Sequence, residues 1–284
     1  MRPAPFVCAL LLISPAKLWL PDVVSTDKSE VRITFSPDGK RMLWGAIGWS
    51  GSTTSASGGG WDIYESERSA SGWSTPRVAA FNSSANDFDP SFAPDGSGVY
   101  FFSNRDGGFG KDDIYFARFD ARTGRYGAAT NLGKEINTAG DEWAPVVSPD
   151  GKRLMFASDG HGGRGKHDLF IAHRSGGGWG KIESLTALNT PEEDFDATFL
   201  HDGVSIVYTS GKFAGDEVAL YVAEFRDGRF QQRERLPASV NSPKAGAWTL
   251  GPSISLHEPG VLYFTSEREA GRGRADIYRI EYQP

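Results

Sequence analysis

Five copies of one pattern run through this chain, and that periodicity limits its fold more than any other feature. The segment FSPDGKRMLW (35–44) recurs as FAPDGSGVYF (92–101) and VSPDGKRLMF (147–156). It weakens to FLHDGVSIVY (199–208) and to ISLHEPGVLYF (254–264), which has one more residue in its turn. A second series reads WDIY (61–64), DDIY (112–115), HDLF (167–170), VALY (218–221) and ADIY (275–278). A third is Asn followed by Ser or Thr: Asn82-Ser83, Asn137-Thr138, Asn189-Thr190 and Asn241-Ser242. The period is about 51–57 residues, the length of one supersecondary unit in a repeat architecture.

Each copy holds four short strands. DFDPSFAP, GVYFFS, DIYFARF and YGAATNLG are the first to fourth strands of copy two. Asp-Gly between the first two is a strong hairpin signal. Thirty-five glycines in 284 residues also favour many turns and short strands over helices. Four antiparallel strands per repeat predict an all-β fold, a five-bladed β-propeller. The blades are expected at 28–82, 83–137, 138–189, 190–241, and 242–284 with 17–27. Copy five ends after its third strand, so residues 19–26 are expected to supply its fourth and close the ring. Closure removes the open sheet edges a linear array would leave.

The run NTAGDEWAPVVSPDGKRLMFASDGHGGRGKHDLF (137–170), with its counterparts in the other copies, resembles the WD-like repeat of the TolB-type propeller family. The resemblance covers residues 19–284 and is strongest in copies two and three. It implies a periplasmic or surface-exposed binding scaffold of the bacterial envelope. Five blades with no extra N-terminal domain depart from TolB itself, which the resemblance describes as six-bladed.

In an antiparallel blade, the start of the first strand shares a face with the loop between the second and third strands. Aligned strand starts give Glu30, Asp87, Glu142, Asp194 and Thr249, and two residues on, Arg32, Asp89, Ala144, Asp196 and Gly251. Period-two alternation points both columns to one side, toward the channel mouth. Glu30, Arg32, Asp87, Asp89, Glu142, Asp194 and Asp196 are therefore the candidate ligand-binding residues. Clustered carboxylates there leave two readings: a cation or ligand at the mouth, or carboxylates that accept backbone N–H groups of their own turns. Arg32, Asp89 and Asp196 break the repeat, so blade architecture alone does not require them.

The glycine-rich loops SNRDGGFGKDDIY (103–115) and its relatives at 158–170 and 266–278 are expected to be hairpins tied down by Arg105–Asp113 and Arg268–Asp276 pairs. Copy one replaces this loop with a longer Ser/Gly segment carrying Trp49 and Trp61, candidates for sugar or peptide contact. His161 and His167 share one loop and are weighed as a metal pair against solvated histidines. No phosphate-binding loop, nucleophile elbow or zinc-protease motif is present. No cofactor is expected, a cation at the mouth apart.

Residues 1–16 read as an export signal: Arg2, an apolar run over 6–13, then Ser14, Pro15 and Ala16. Cys8, the single cysteine, lies inside it. The net charge of −6 argues against a nucleic-acid partner. The function expected is that of an exported, monomeric, non-catalytic propeller, not membrane-spanning, that holds an envelope protein, peptide or glycan. The alternative is a carbohydrate-active hydrolase or lyase using Asp87, Glu142 and Asp194.

Overall fold

A computed structural model describes residues 11–12, 14–47, 60–213, 218–231 and 233–283. In chain order, β1 (Leu11–Leu12) and β2 (Lys17–Leu18) precede blade one: β3 (Ser29–Phe35), β4 (Arg41–Ile47), β5 (Trp61–Ser69), β6 (Gly72–Trp73) and β7 (Arg77–Val78). Blade two is β8 (Asp87–Phe92), β9 (Gly98–Ser103), β10 (Asp113–Asp120) and β11 (Arg125–Asn131). Blade three is β12 (Glu142–Val147), β13 (Arg153–Ser158), β14 (Asp168–Ser175) and β15 (Gly178–Ser184). Blade four is β16 (Glu193–Phe199), β17 (Ile206–Gly211), β18 (Val218–Ala223), a β19 (Phe225–Arg226) and β20 (Arg229–Phe230) hairpin, and β21 (Glu234–Arg235). Blade five is β22 (Thr249–Ser255), β23 (Glu258–Ser266) and β24 (Asp276–Gln283).

Every blade is an antiparallel meander, and β3, β8, β12, β16 and β22 touch in sequence around the axis to close a ring of five. The protein is a five-bladed β-propeller. Five apolar clusters fill the five seams; Tyr100, Phe102 and Ile114 of blade two, for example, pack on Leu154, Phe156 and Phe170 of blade three. Because each sheet is covered on both faces, its strands read as near-continuous apolar runs, such as the fully buried GVYFFS.

The repeated signatures have distinct mechanical roles. Ser36 and Ser148 bond Asp38 and Asp150 across their Pro-Asp-Gly turns, at 2.6 and 2.5 Å. Each signature asparagine clamps the third strand of its blade through both amide ends. Asn137 accepts from Ile114 N and donates to Ile114 O, and Asn189 does the same at Leu169.

Closure differs in detail from the sequence expectation. Lys17 and Leu18 pair with Arg279 and Tyr278, and Leu11 and Leu12 with Gln283 and Tyr282. Trp19 still donates its N–H to Ile277 O, and residues 20–26 then turn the chain inward, where Ser25 takes the clamp's place, its hydroxyl bonding both N and O of Ile277. Leu11 and Leu12 lie in the segment read as an export signal. Cleavage after Ala16 would remove their pairing and leave β2 in place.

Candidate functional site

The first acidic column folds back into its own turns. Thr26, Ser83, Thr138 and Thr190 each donate a backbone N–H and a hydroxyl to Glu30, Asp87, Glu142 and Asp194, four residues on. In blade five, Ser242 N donates to Thr249 Oγ1 at 3.0 Å. This explains the Asn-Ser/Thr signature: asparagine holds one blade and its neighbour the next. All four carboxylates are buried, each held by its own turn. Burial raises Glu142 and Asp194 above the ordinary carboxylate range.

The second column is a β-bulge. Arg32, Asp89, Ala144, Asp196 and Gly251 all take positive φ, between 40° and 60°, where the register of each innermost strand shifts. Three of these side chains meet inside the channel. Arg32 Nη1 lies 3.7 Å from Asp196 Oδ1, and its Nη2 donates to Ala197 O at 2.9 Å. Gly251 N donates to Asp196 Oδ2 at 3.1 Å. Asp89 and Asp196 lie close enough for their charges to act on each other. Burial, then the Asp196 charge, holds Asp89 well above the ordinary range, with Arg32 opposing. Two carboxylates this close disfavour each other's ionised form.

Above this group opens a bowl of about 200 Å³. Its walls are Trp61, Phe88, Phe102, Trp143, Phe195 and Leu250, and Asp89 and Asp196 reach it from the channel. Phe88 stacks on Phe102 (4.8 Å, 4°), Trp61 leans on Phe88 at 5.3 Å, and Trp143 meets Phe102 at 6.2 Å. Asp112 also lines the bowl and accepts the Trp143 indole N–H at 2.8 Å. Trp61 thus belongs to the mouth, whereas Trp49 lies outside the described residues. The channel's other end, between Pro37, Pro94, Pro149 and Leu256, holds about 50 Å³.

The glycine-rich loops are capped by aspartate rather than by an Arg–Asp pair. Phe109 N and Gly110 N donate to Asp113, Arg164 N and Gly165 N to Asp168, and Arg272 N and Gly273 N to Asp276. Arg105 pairs with Asp87 instead, and Arg268 bonds the Ser239 and Val240 carbonyls. In both loops the arginine reaches across to the preceding turn, and the aspartate is held by the N–H groups of its own loop. His161 Nε2 bonds Ile136 O at 2.7 Å, while His167 turns to Glu193, so the two do not share a ligand. Among the described residues, the group close enough to share an ion is Asp141, Asp159 and His167.

The wall residues Phe88, Trp143 and Phe195 were missed by period-two reasoning. They stand between the two acidic columns, a position predicted to face away from the channel. The bulge breaks the alternation. Aromatics in three of five copies at one repeat position were the available signal.

Solved structures share this architecture. A structure assigned as TolB of Agrobacterium tumefaciens aligns at a TM-score of 0.53 and 17% identity, over 91% of this chain and 92% of that one. The fold is a TolB-type propeller. TolB of Acinetobacter baumannii aligns at 0.52 and 17% identity over 89% of this chain, which spans 55% of that longer TolB. No protein-family model and no curated protein matches the sequence. No helix among the described residues is long and apolar enough to cross a membrane.

Proposed function

We propose that this propeller is a non-catalytic binding module of the bacterial envelope, exported by its N-terminal segment. Its partner is a protein or peptide that seats a basic side chain in the channel-mouth bowl. The observation carrying this reading is the wall of Trp61, Phe88, Phe102, Trp143 and Phe195 with the Asp112 carboxylate among them. Aromatic faces attract a cation within about 6 Å, by about 0.5–2 kcal/mol. Asp112 adds a carboxylate on the wall, while Arg32 offsets the Asp196 charge deeper in. A bowl of this size takes one side chain, and the surrounding loops supply the wider contact surface.

The test is capture from envelope extracts on immobilised protein. Trp143→Ala and Asp112→Asn are each expected to lose at least tenfold in retained partner with free arginine as competitor. Both variants must keep the wild-type unfolding midpoint to be scored. Capture that is indifferent to both, or glycan or peptide turnover abolished by Asp87→Asn, Glu142→Gln and Asp194→Asn together, overturns the proposal.

A further inference from the structure

We propose that Asp141, Asp159 and His167 form a site for one divalent transition-metal ion of the zinc class, at the rim of the channel mouth. The inference stands apart from whatever the bowl binds. The three residues come from two loops of blade three: Asp141 precedes β12, while Asp159 and His167 stand at the two ends of the loop between β13 and β14. One ligand atom from each lies within 4.8 Å of the others.

The histidine makes this more than an acidic cluster. His167 is 7% exposed, and its Nδ1 sits 2.7 Å from Glu193 Oε2. A carboxylate on Nδ1–H fixes the tautomer that leaves a lone pair on Nε2, the arrangement by which metal-binding histidines are oriented. That Nε2 is buried with no hydrogen-bond partner among the described residues, and it points at Asp141 Oδ2 from 3.9 Å. A lone pair facing a carboxylate in a buried spot is repulsive unless a cation lies between them.

The carboxylates are aimed as well. Asp141 Oδ1 accepts from Asp112 N at 3.1 Å and Asp159 Oδ1 from Asp141 N at 2.7 Å. Each then turns its other oxygen to the same point. Lys111 Nζ lies 3.3 Å from Asp141 Oδ2 and 3.9 Å from Asp159 Oδ2, so positive charge is already drawn there. Its side chain is largely exposed on a flexible stem and can leave without unfolding anything. One imidazole with two carboxylates suits zinc, cobalt or manganese, whereas calcium and magnesium prefer all-oxygen shells. Zinc holds such donors at about 2.0–2.2 Å, so the group must close by about 1 Å. The half-exposed Asp159 can supply that movement.

The site is joined to the bowl through one ring. Trp143 stacks on His167 with centroids 3.6 Å apart, and the same indole forms the bowl's wall. Ion binding therefore acts on the rim that the loops present.

The test is calorimetric titration of the EDTA-treated full chain with zinc chloride, with magnesium chloride as comparison. We expect one zinc ion per chain and no magnesium binding. His167→Ala and Asp159→Asn should each weaken zinc at least tenfold. Asp159 lies at the surface, so its variant keeps the fold, which near-ultraviolet circular dichroism checks. Absence of stoichiometric zinc uptake by the wild type, or uptake unchanged in both variants, overturns the site.

Discussion

At the scale of single residues, the conspicuous charges are mostly struts. Asp113 is buried and accepts from Phe109 N, Gly110 N and the Asn131 amide. Removing it strands two loop N–H groups and an amide, a loss of about 2–4 kcal/mol. Asp113→Ala is expected to lower the urea midpoint by that amount while the folded fraction still binds its partner; unchanged stability with lost binding would reverse the assignment. Asp89 is the opposite case. Burial and the Asp196 charge raise its folded-state pKa above the ordinary 3.8, against Arg32 and with Asp112 nearby. Between those two values the folded chain holds a proton that the unfolded chain releases, so stability falls as pH rises through that window. Asp89→Asn cannot ionise and should exceed the wild type in stability at pH 7. The gain should fade as the pH is lowered toward 3.8. Unfolding midpoints of both proteins across pH 4 to 8 test this; a pH-independent difference would place the effect in the left-handed backbone, which Asn tolerates well.

At the scale of the element, the innermost strand is where sequence and structure part company. All five carry the bulge, yet only Gly251 is a residue that adopts positive φ without penalty. Ala144 has no polar role there, so Ala144→Gly should relieve about 0.5–1 kcal/mol of net backbone cost, and Gly251→Ala should lose a similar amount. Thermal unfolding of the two variants reads the opposite signs. The Asp-Gly turns and the carboxylates that accept from their own Asn-Ser/Thr turns were legible because each is a local hydrogen-bonding device repeated at fixed spacing, Asp38 with Ser36 and Glu142 with Thr138. The Asn137 clamp on Ile114 and the Asp168 cap of its loop, by contrast, showed only as repeated letters without a role. The mouth was legible only in part. Asp89, Asp196 and Arg32 stood out by breaking the repeat, but alternation assumes a regular strand, and the bulge brought Phe88, Trp143 and Phe195 to the opening. His167's partnership with Glu193 joins two blades and has no spacing signature at all.

At the scale of the whole molecule, stability depends on how the ring is closed. Among the described residues, the outer edge of β24 is covered by the short N-terminal strands, and Trp19 continues the ladder by donating its N–H to Ile277 O at 2.8 Å. The Trp19 ring then packs edge-on against Tyr263 at 5.4 Å and under the Arg279 guanidinium. Two truncations separate these contributions. A chain starting at residue 17 keeps the Lys17–Leu18 pairing and the Trp19 anchor, and should unfold as one cooperative transition close to the full chain. A chain starting at residue 20 loses both, leaving β24 with unpaired N–H and C=O groups along its outer side. Such an edge pairs with other copies, and the seam between blades five and one loses an aromatic of its core. That chain should lose several kcal/mol and elute in sedimentation or size-exclusion runs as concentration-dependent oligomers. Closure by β2 predicts a sharp boundary between residues 17 and 20. A gradual decline over shorter and longer truncations alike, or a stable monomer starting at residue 20, would mean that the ring holds without its N-terminal clasp.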